Sequence, residues 1–102
     1  MHLQGVGAVH LFGQYNTDMY YVYVLWSERS QRFYVGYSGD LPRRLREHNA
    51  GTNRSTKYGV PWRVEYYEAY RTKALAQNRE RSIKRNRGKA LATLYKRIKD
   101  NA

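Results

Sequence analysis

The chain contains no cysteine. Neither a disulfide framework nor a thiolate zinc site can therefore hold it together, and a reducing cytoplasm is an acceptable home. Acid is scarce as well: eight Asp and Glu stand against nineteen Lys and Arg, and only two prolines interrupt the 102 residues. No apolar run approaches the length of a membrane span. The opening MHLQGVGAVHLFG has no basic lead, and His and Gly break its apolar stretch, which reads against a secretion signal. With 41% hydrophobic residues, a chain of this length supports one small domain around one modest core. Residues 1–18, whose only charge is Asp18, read as a loosely held N-terminal extension, with a short edge strand from Ala8 to Phe12 as the alternative for part of it. The domain is expected over 19–102. His2 and His10 have no neighbours that would complete a metal-ligand set.

Positive charge and tyrosine are what the chain has in excess. The formal charge is +11, and residues 71–102 carry eleven Lys or Arg against only Glu80 and Asp100. That asymmetry predicts a polyanionic partner, most simply the phosphate backbone of DNA, with RNA as the alternative. A membrane surface is the rival, but the basic residues lack the Trp, Phe and Leu face that an interfacial helix needs.

Two runs, Tyr20–Trp26 and Arg32–Tyr37, are rich in Tyr, Val, Trp and Phe, and the polar segment Ser27–Ser30 between them predicts an antiparallel hairpin. A loop centred between Glu28 and Arg29 sets Tyr23 opposite Tyr34. Val22, Val24, Phe33 and Val35 then share one face, leaving two phenols and the bare backbone of Gly36 on the other. Asp40 is a fair N-cap, Pro42 suits a first turn and Gly51 a stop, so 41–50 should be helical. On that helix Arg44 and His48 fall on or beside the stripe of Leu41 and Leu45, where a charge is costly unless an anion accompanies it. Residues 51–61 read as a loop from which Arg54 and Lys57 can reach a nucleic-acid backbone and Tyr58 can stack on a base, although a solvated loop explains them equally. Trp62–Tyr70 suits a third strand, with Trp62, Val64, Tyr66, Glu68 and Tyr70 alternating onto one side. Thr72 caps a helix over about 73–87 that places Ala76, Glu80 and Ile83 on one stripe. Gly88 should interrupt it before a last helix, 89–99, on which Leu91, Leu94, Tyr95 and Ile98 form a compact stripe. The fold class is α+β: a small three-stranded antiparallel sheet packed with about three helices.

The ordered motifs resemble the GIY-YIG nuclease superfamily, in particular its small single-domain bacterial members similar to the amino-terminal nuclease domain of the excision-repair endonuclease. Tyr21-Val22-Tyr23 stands where that family has Gly-Ile-Tyr, with Tyr21 in place of the glycine, and Tyr34-Val35-Gly36 where it has Tyr-Ile-Gly. Asp40–Leu45 with His48 and Asn49 is similar to its arginine-bearing helix, and Ala74–Glu80 with Ile83-Lys84 to its glutamate-bearing one. The resemblance covers about 19–92 and implies a divalent-metal-dependent endonuclease hydrolysing DNA phosphodiesters, with a place in DNA repair. It also implies Tyr23, Tyr34, Arg44 and His48 as catalytic residues and Glu80 as the ligand of Mg²⁺ or Mn²⁺. Arg43, Arg46, Arg54, Lys57 and Lys84 are expected to bind the nucleic acid, and Gly36 to allow close approach at the site.

Each assignment has a plainer rival. Glu80 is spaced for an ion pair with Lys84 at i+4, Arg44 for a solvated helix face, and His48 for a helix end favoured by the dipole. Most of eleven tyrosines must pack. A tyrosine acting as base needs a neighbouring positive charge, since a free phenol titrates near pH 10. The alternative to an enzyme is a catalytically inactive module that binds nucleic acid, RNA included, through the same basic surface.

Overall fold

The computed structural model describes residues 19–100; the extension expected over 1–18 and its alternative strand lie outside them. Strands β1 (Tyr20–Ser27) and β2 (Arg32–Ser38) are followed by helix α1 (Leu41–Asn49), a 3₁₀ turn at Lys57–Gly59, strand β3 (Trp62–Tyr70), and helices α2 (Lys73–Arg85) and α3 (Arg87–Asp100). The strands form one antiparallel sheet in the order β2-β1-β3. This is the expected α+β arrangement.

The first strand is paired on both edges and covered on both faces, which is why Tyr21 through Ser27 are all buried and why its sequence is an almost unbroken apolar run. One face of the sheet carries Val22, Val24 and Val35, packed with Ala76 and Ile83 of α2 and Leu91 and Leu94 of α3. The other carries Tyr21, Tyr23 and Leu25, packed with Leu41 of α1 and Trp62. Helix α1 starts as its sequence dictates: the Asp40 side chain accepts from the Arg43 amide at 3.1 Å, and Gly51 beyond its end takes a positive φ of 77°. Thr72 caps α2 in the same way, accepting from the Leu75 amide at 3.1 Å.

Three expectations need correction. The hairpin register is shifted by two residues, so that Tyr23 pairs with Gly36 and Leu25 with Tyr34. The four-residue turn Glu28–Gln31 closes one position later than expected, with Gln31 at φ 57° and its amide donating to the Ser27 carbonyl at 2.8 Å. An even shift keeps every side chain on its expected face, so Tyr34 is a diagonal neighbour of Tyr23 rather than its partner. In β3, strict alternation fails. Val24 pairs with Tyr66 but Leu25 with Val64, leaving Glu65 as the extra residue of a bulge. Trp62 and Val64 therefore pack on the α1 face, whereas Tyr66, Glu68 and Tyr70 turn to the α2 face. Lastly, the break between the final helices is at Asn86 (φ −107°, ψ 30°), and Gly88 lies inside the first turn of α3. Asn bonds locally to the backbone and ends a helix here, its side chain donating to the Ser82 carbonyl at 3.3 Å.

Candidate active site

The site grows from the face that β1 turns toward α1. Tyr23 is only 1% exposed, and its ring lies against the backbone of Gly36, where a Cβ would come within 2.5 Å of the tyrosine hydroxyl. Only glycine fits there. The hydroxyl lies 3.1 Å from His48 Nε2, and the opposite ring nitrogen of His48 lies 2.9 Å from Thr56 Oγ1. Arg44, one helical turn before His48, lies close enough for its positive charge to act on the Tyr23 hydroxyl. The two bonds share one imidazole proton: with it on Nδ1, His48 donates to Thr56 and Nε2 accepts from the Tyr23 hydroxyl, and with it on Nε2 both directions reverse. The stripe of α1 thus delivers an arginine and a histidine to one phenol.

The electrostatics suit neutral groups in this relay. Burial pushes the Tyr23 hydroxyl up to about 12, with the charge of Glu80 adding to it, and this outweighs Arg44, which favours the phenolate. His48, fully buried rather than free at a helix end, is held below the usual histidine range by burial and then by the Arg44 charge. At neutral pH the pair is phenol and imidazole. Tyr34 stands beside it, its ring edge-on to His48 at 5.0 Å between centroids and to Trp62 at 6.3 Å.

Arg44 is half-buried and shares Glu47 with Arg43, at 2.9 and 2.6 Å respectively. It opens onto a surface hollow of about 530 Å³ that also presents Tyr37, Ser38, Arg43 and Lys73. Gln77 donates to the Tyr37 hydroxyl at 2.8 Å. Because Lys73, Gln77 and Glu80 fall at i, i+4 and i+7, one stripe of α2 runs from this hollow to Glu80, whose charge is felt at Tyr23. The Glu80 side chain is 16% exposed and pairs with Lys84 at 3.1 Å, so the plainer reading of that spacing is also realised. Among the described residues, no three His, Asp or Glu side chains converge as a metal cage.

Of the cations expected to meet nucleic acid, Arg43 and Arg46 are exposed on α1, Arg54 and Lys57 on the loop before β3, and Lys84 on α2. Sequence reasoning missed Thr56, Lys73, Tyr37 and Gln77. A periodicity count along α2 from Glu80 would have reached Gln77 and Lys73; nothing local marks Thr56, which acts only through a loop that folds back onto His48.

Residues 19–100 match the family model described as the GIY-YIG catalytic domain. The chain belongs to the GIY-YIG family. Relatives match over much of the chain: a UPF0213 protein of Haloquadratum walsbyi is 37% identical over 69 residues, covering 67% of this chain and 76% of its own length. A UPF0213 protein of Streptococcus pyogenes serotype M5 is 34% identical over 80 residues, 78% of this chain and 86% of its own. No solved structure matches significantly. Within the GIY-YIG domain, the tyrosine that replaces the first glycine is structural: Tyr21 is buried and packs edge-on against Tyr67 at 5.9 Å. No helix among the described residues is long and apolar enough to cross a membrane.

Proposed function

We propose that the protein is a divalent-metal-dependent endonuclease that hydrolyses phosphodiester bonds in DNA. The observation that carries this reading is the hydrogen bond between the Tyr23 hydroxyl and His48, with the Arg44 charge beside it, within a GIY-YIG catalytic domain. Arg44, at the hollow, grips the phosphate with its planar fork and offsets the charge that builds as the phosphorus becomes crowded. Tyr23 takes a proton from the attacking water as it passes its own to the neutral His48 Nε2, so no free phenolate is required and the low acidity of Tyr23 is not an obstacle. The resulting hydroxide forms the new P–O bond as the bond to the leaving oxygen breaks. In this relay His48 carries its proton on Nδ1, toward Thr56 Oγ1, which leaves Nε2 free to accept. Tyr34 packs against His48 and fixes its ring.

Glu80 is the residue that would hold Mg²⁺ or Mn²⁺. A lone, largely buried carboxylate fits a hard cation that retains most of its waters, and Lys84 is an exposed partner that can swing aside. The ion supplies charge neutralisation at the departing oxygen. The test is cleavage of plasmid, branched and single-stranded DNA with either metal. Arg44→Ala and Glu80→Ala are expected to lose about a hundredfold or more; undiminished cleavage by both variants would refute the assignment. The Glu80–Lys84 pair favours one second reading, a metal-free nucleic-acid-binding module, for which the same assay gives tight binding of DNA or RNA and no cleavage.

A further inference from the structure

A second hollow, of about 380 Å³, is lined by Arg32, Phe33, Tyr34, Ser55, Tyr58 and Trp62 among others, none of them a carboxylate. Its most unusual member is Tyr58, a large aromatic left 77% exposed. Exposure of this kind commonly belongs to a floppy loop, but here the backbone is pinned on both sides. Asn53 accepts from the amides of Thr56 and Lys57 at 3.1 and 2.9 Å, and Gly59 donates to Thr56 at 3.0 Å. The Trp62 indole donates to the Thr56 carbonyl at 2.7 Å, and its ring lies so close to Gly59 that no Cβ would fit. Asn49 then locks β3 to α1, donating to the Trp62 carbonyl at 2.9 Å and accepting from its amide at 2.6 Å. A rigid turn therefore holds one phenol ring out in solvent, with the Lys57 ammonium 5.0 Å from the ring centroid.

The platform is also coupled to the site. Thr56, two residues before Tyr58, bonds to His48, and Tyr34 both packs on His48 and lines this hollow. Ser30, on its wall, has a buried hydroxyl without a hydrogen-bond partner. A rigid exposed ring, a second aromatic wall, flanking cations and no acid make up the chemistry that receives a base with its phosphate.

We infer that this hollow is a subsite for an unpaired nucleotide of the DNA substrate, with Tyr58 as the stacking platform and Arg32 and Lys57 at the adjoining phosphates. It rests on the nuclease reading only in giving that enzyme a substrate with a single-stranded segment. Binding is therefore measured apart from cleavage, by fluorescence anisotropy of labelled oligodeoxynucleotides with EDTA present. Tyr58→Ala is expected to weaken a single-stranded probe about tenfold and a blunt duplex less than about twofold, while Tyr58→Phe, which keeps the ring, stays close to the parent. Equal losses on both probes, no loss on the single strand, or a Phe variant as weak as the Ala one would each overturn the subsite. Since Tyr58 is exposed, its truncation leaves the core untouched. A protein that binds single strands through Tyr58 but cuts nothing would discard the nuclease reading and keep this one.

Discussion

Tyr23 and His48 show how far neighbouring groups decide chemistry that a residue's identity leaves open. A phenol beside an arginine suggests a depressed pKa, yet burial reverses the sign, and the imidazole beside it is held neutral by the same burial. Spacing set Arg44 and His48 one helical turn apart and alternation put Tyr23 on the α1 side, but it was the resemblance to the GIY-YIG family that made them candidates over their plainer readings. The partner of His48 was not legible, since Thr56 comes from a loop with no period. The depressed His48 carries a stability consequence. An unfolded chain protonates this histidine near its ordinary 6.5 and the folded one only at lower pH, so below that value the unfolded state binds more protons. Its contribution is complete above about pH 6.5 and is lost as pH falls through the folded value. Urea titrations at about pH 7.5 and about pH 5.5, above the carboxylate range, should show lower stability at the acidic point. A His48→Gln variant, having no such group, should show a smaller difference between the two. His48 is the only histidine among the described residues, so a parent and variant with the same pH dependence would remove the buried neutral imidazole from the account.

At the level of strands and helices, the most consequential feature that sequence reasoning did not foresee is the bulge at Glu65. By turning Tyr66, Glu68 and Tyr70 toward α2, it brings a carboxylate that is 2% exposed up to Arg79, whose guanidinium donates to both its oxygens at 2.9 and 3.1 Å. The hydroxyls of Tyr66 and Tyr70 donate to the same carboxylate at 2.5 and 2.6 Å. Burial alone would push the Glu68 carboxyl up, but Arg79 and the two hydroxyls together outweigh it and hold the group below the ordinary glutamate range. Arg79 directly precedes Glu80, so the fork clamps to the sheet the turn of α2 that carries Glu80. Period-2 counting cannot see a bulge, because the extra residue is paid for by pairing with β1 and not by any local preference. The shifted break at Asn86 escaped for a related reason: glycine attracts attention as a breaker, while Asn ends the helix by donating from its side chain to the Ser82 carbonyl one turn back. Glu68→Ala leaves the Arg79 charge without its partner and two tyrosine hydroxyls without an acceptor. It should cost about 3 kcal/mol, the low end for a broken buried pair because Arg79 is partly exposed. Glu68→Gln, which can still accept from the tyrosines, should cost less. Chemical denaturation of the two variants against the parent checks this, and equal small losses would mean that α2 is held by its apolar contacts alone.

For the molecule as a whole, charge was the property easiest to read, because a net of +11 needs no fold to interpret. Its division among surfaces did need one. Arg43 and Arg46 of α1 and Arg54 and Lys57 of the following loop are exposed and close in sequence to His48 and Thr56, whereas Lys89, Lys96 and Lys99 lie along α3, which packs on the opposite face of the sheet. A strand seated at Arg44 would therefore meet the α1 and loop cations, while those on α3 add only to the general field. Binding through phosphates releases counterions, so affinity for a duplex in EDTA should fall by about a thousandfold or more between roughly 50 and 200 mM salt if six phosphates are met. Arg46→Ala and Arg54→Ala should each lower the slope of log affinity against log salt by about one, whatever the DNA sequence. Lys96→Ala should leave that slope nearly unchanged. Tyr58→Ala should differ from all of these, lowering single-strand affinity at every salt concentration with no change in slope, because a stacked base carries away no counterion. Slopes altered by Lys96→Ala but not by Arg46→Ala would move the nucleic acid to the α3 face and away from Arg44, where it could not be cut by the residues assigned to cut it.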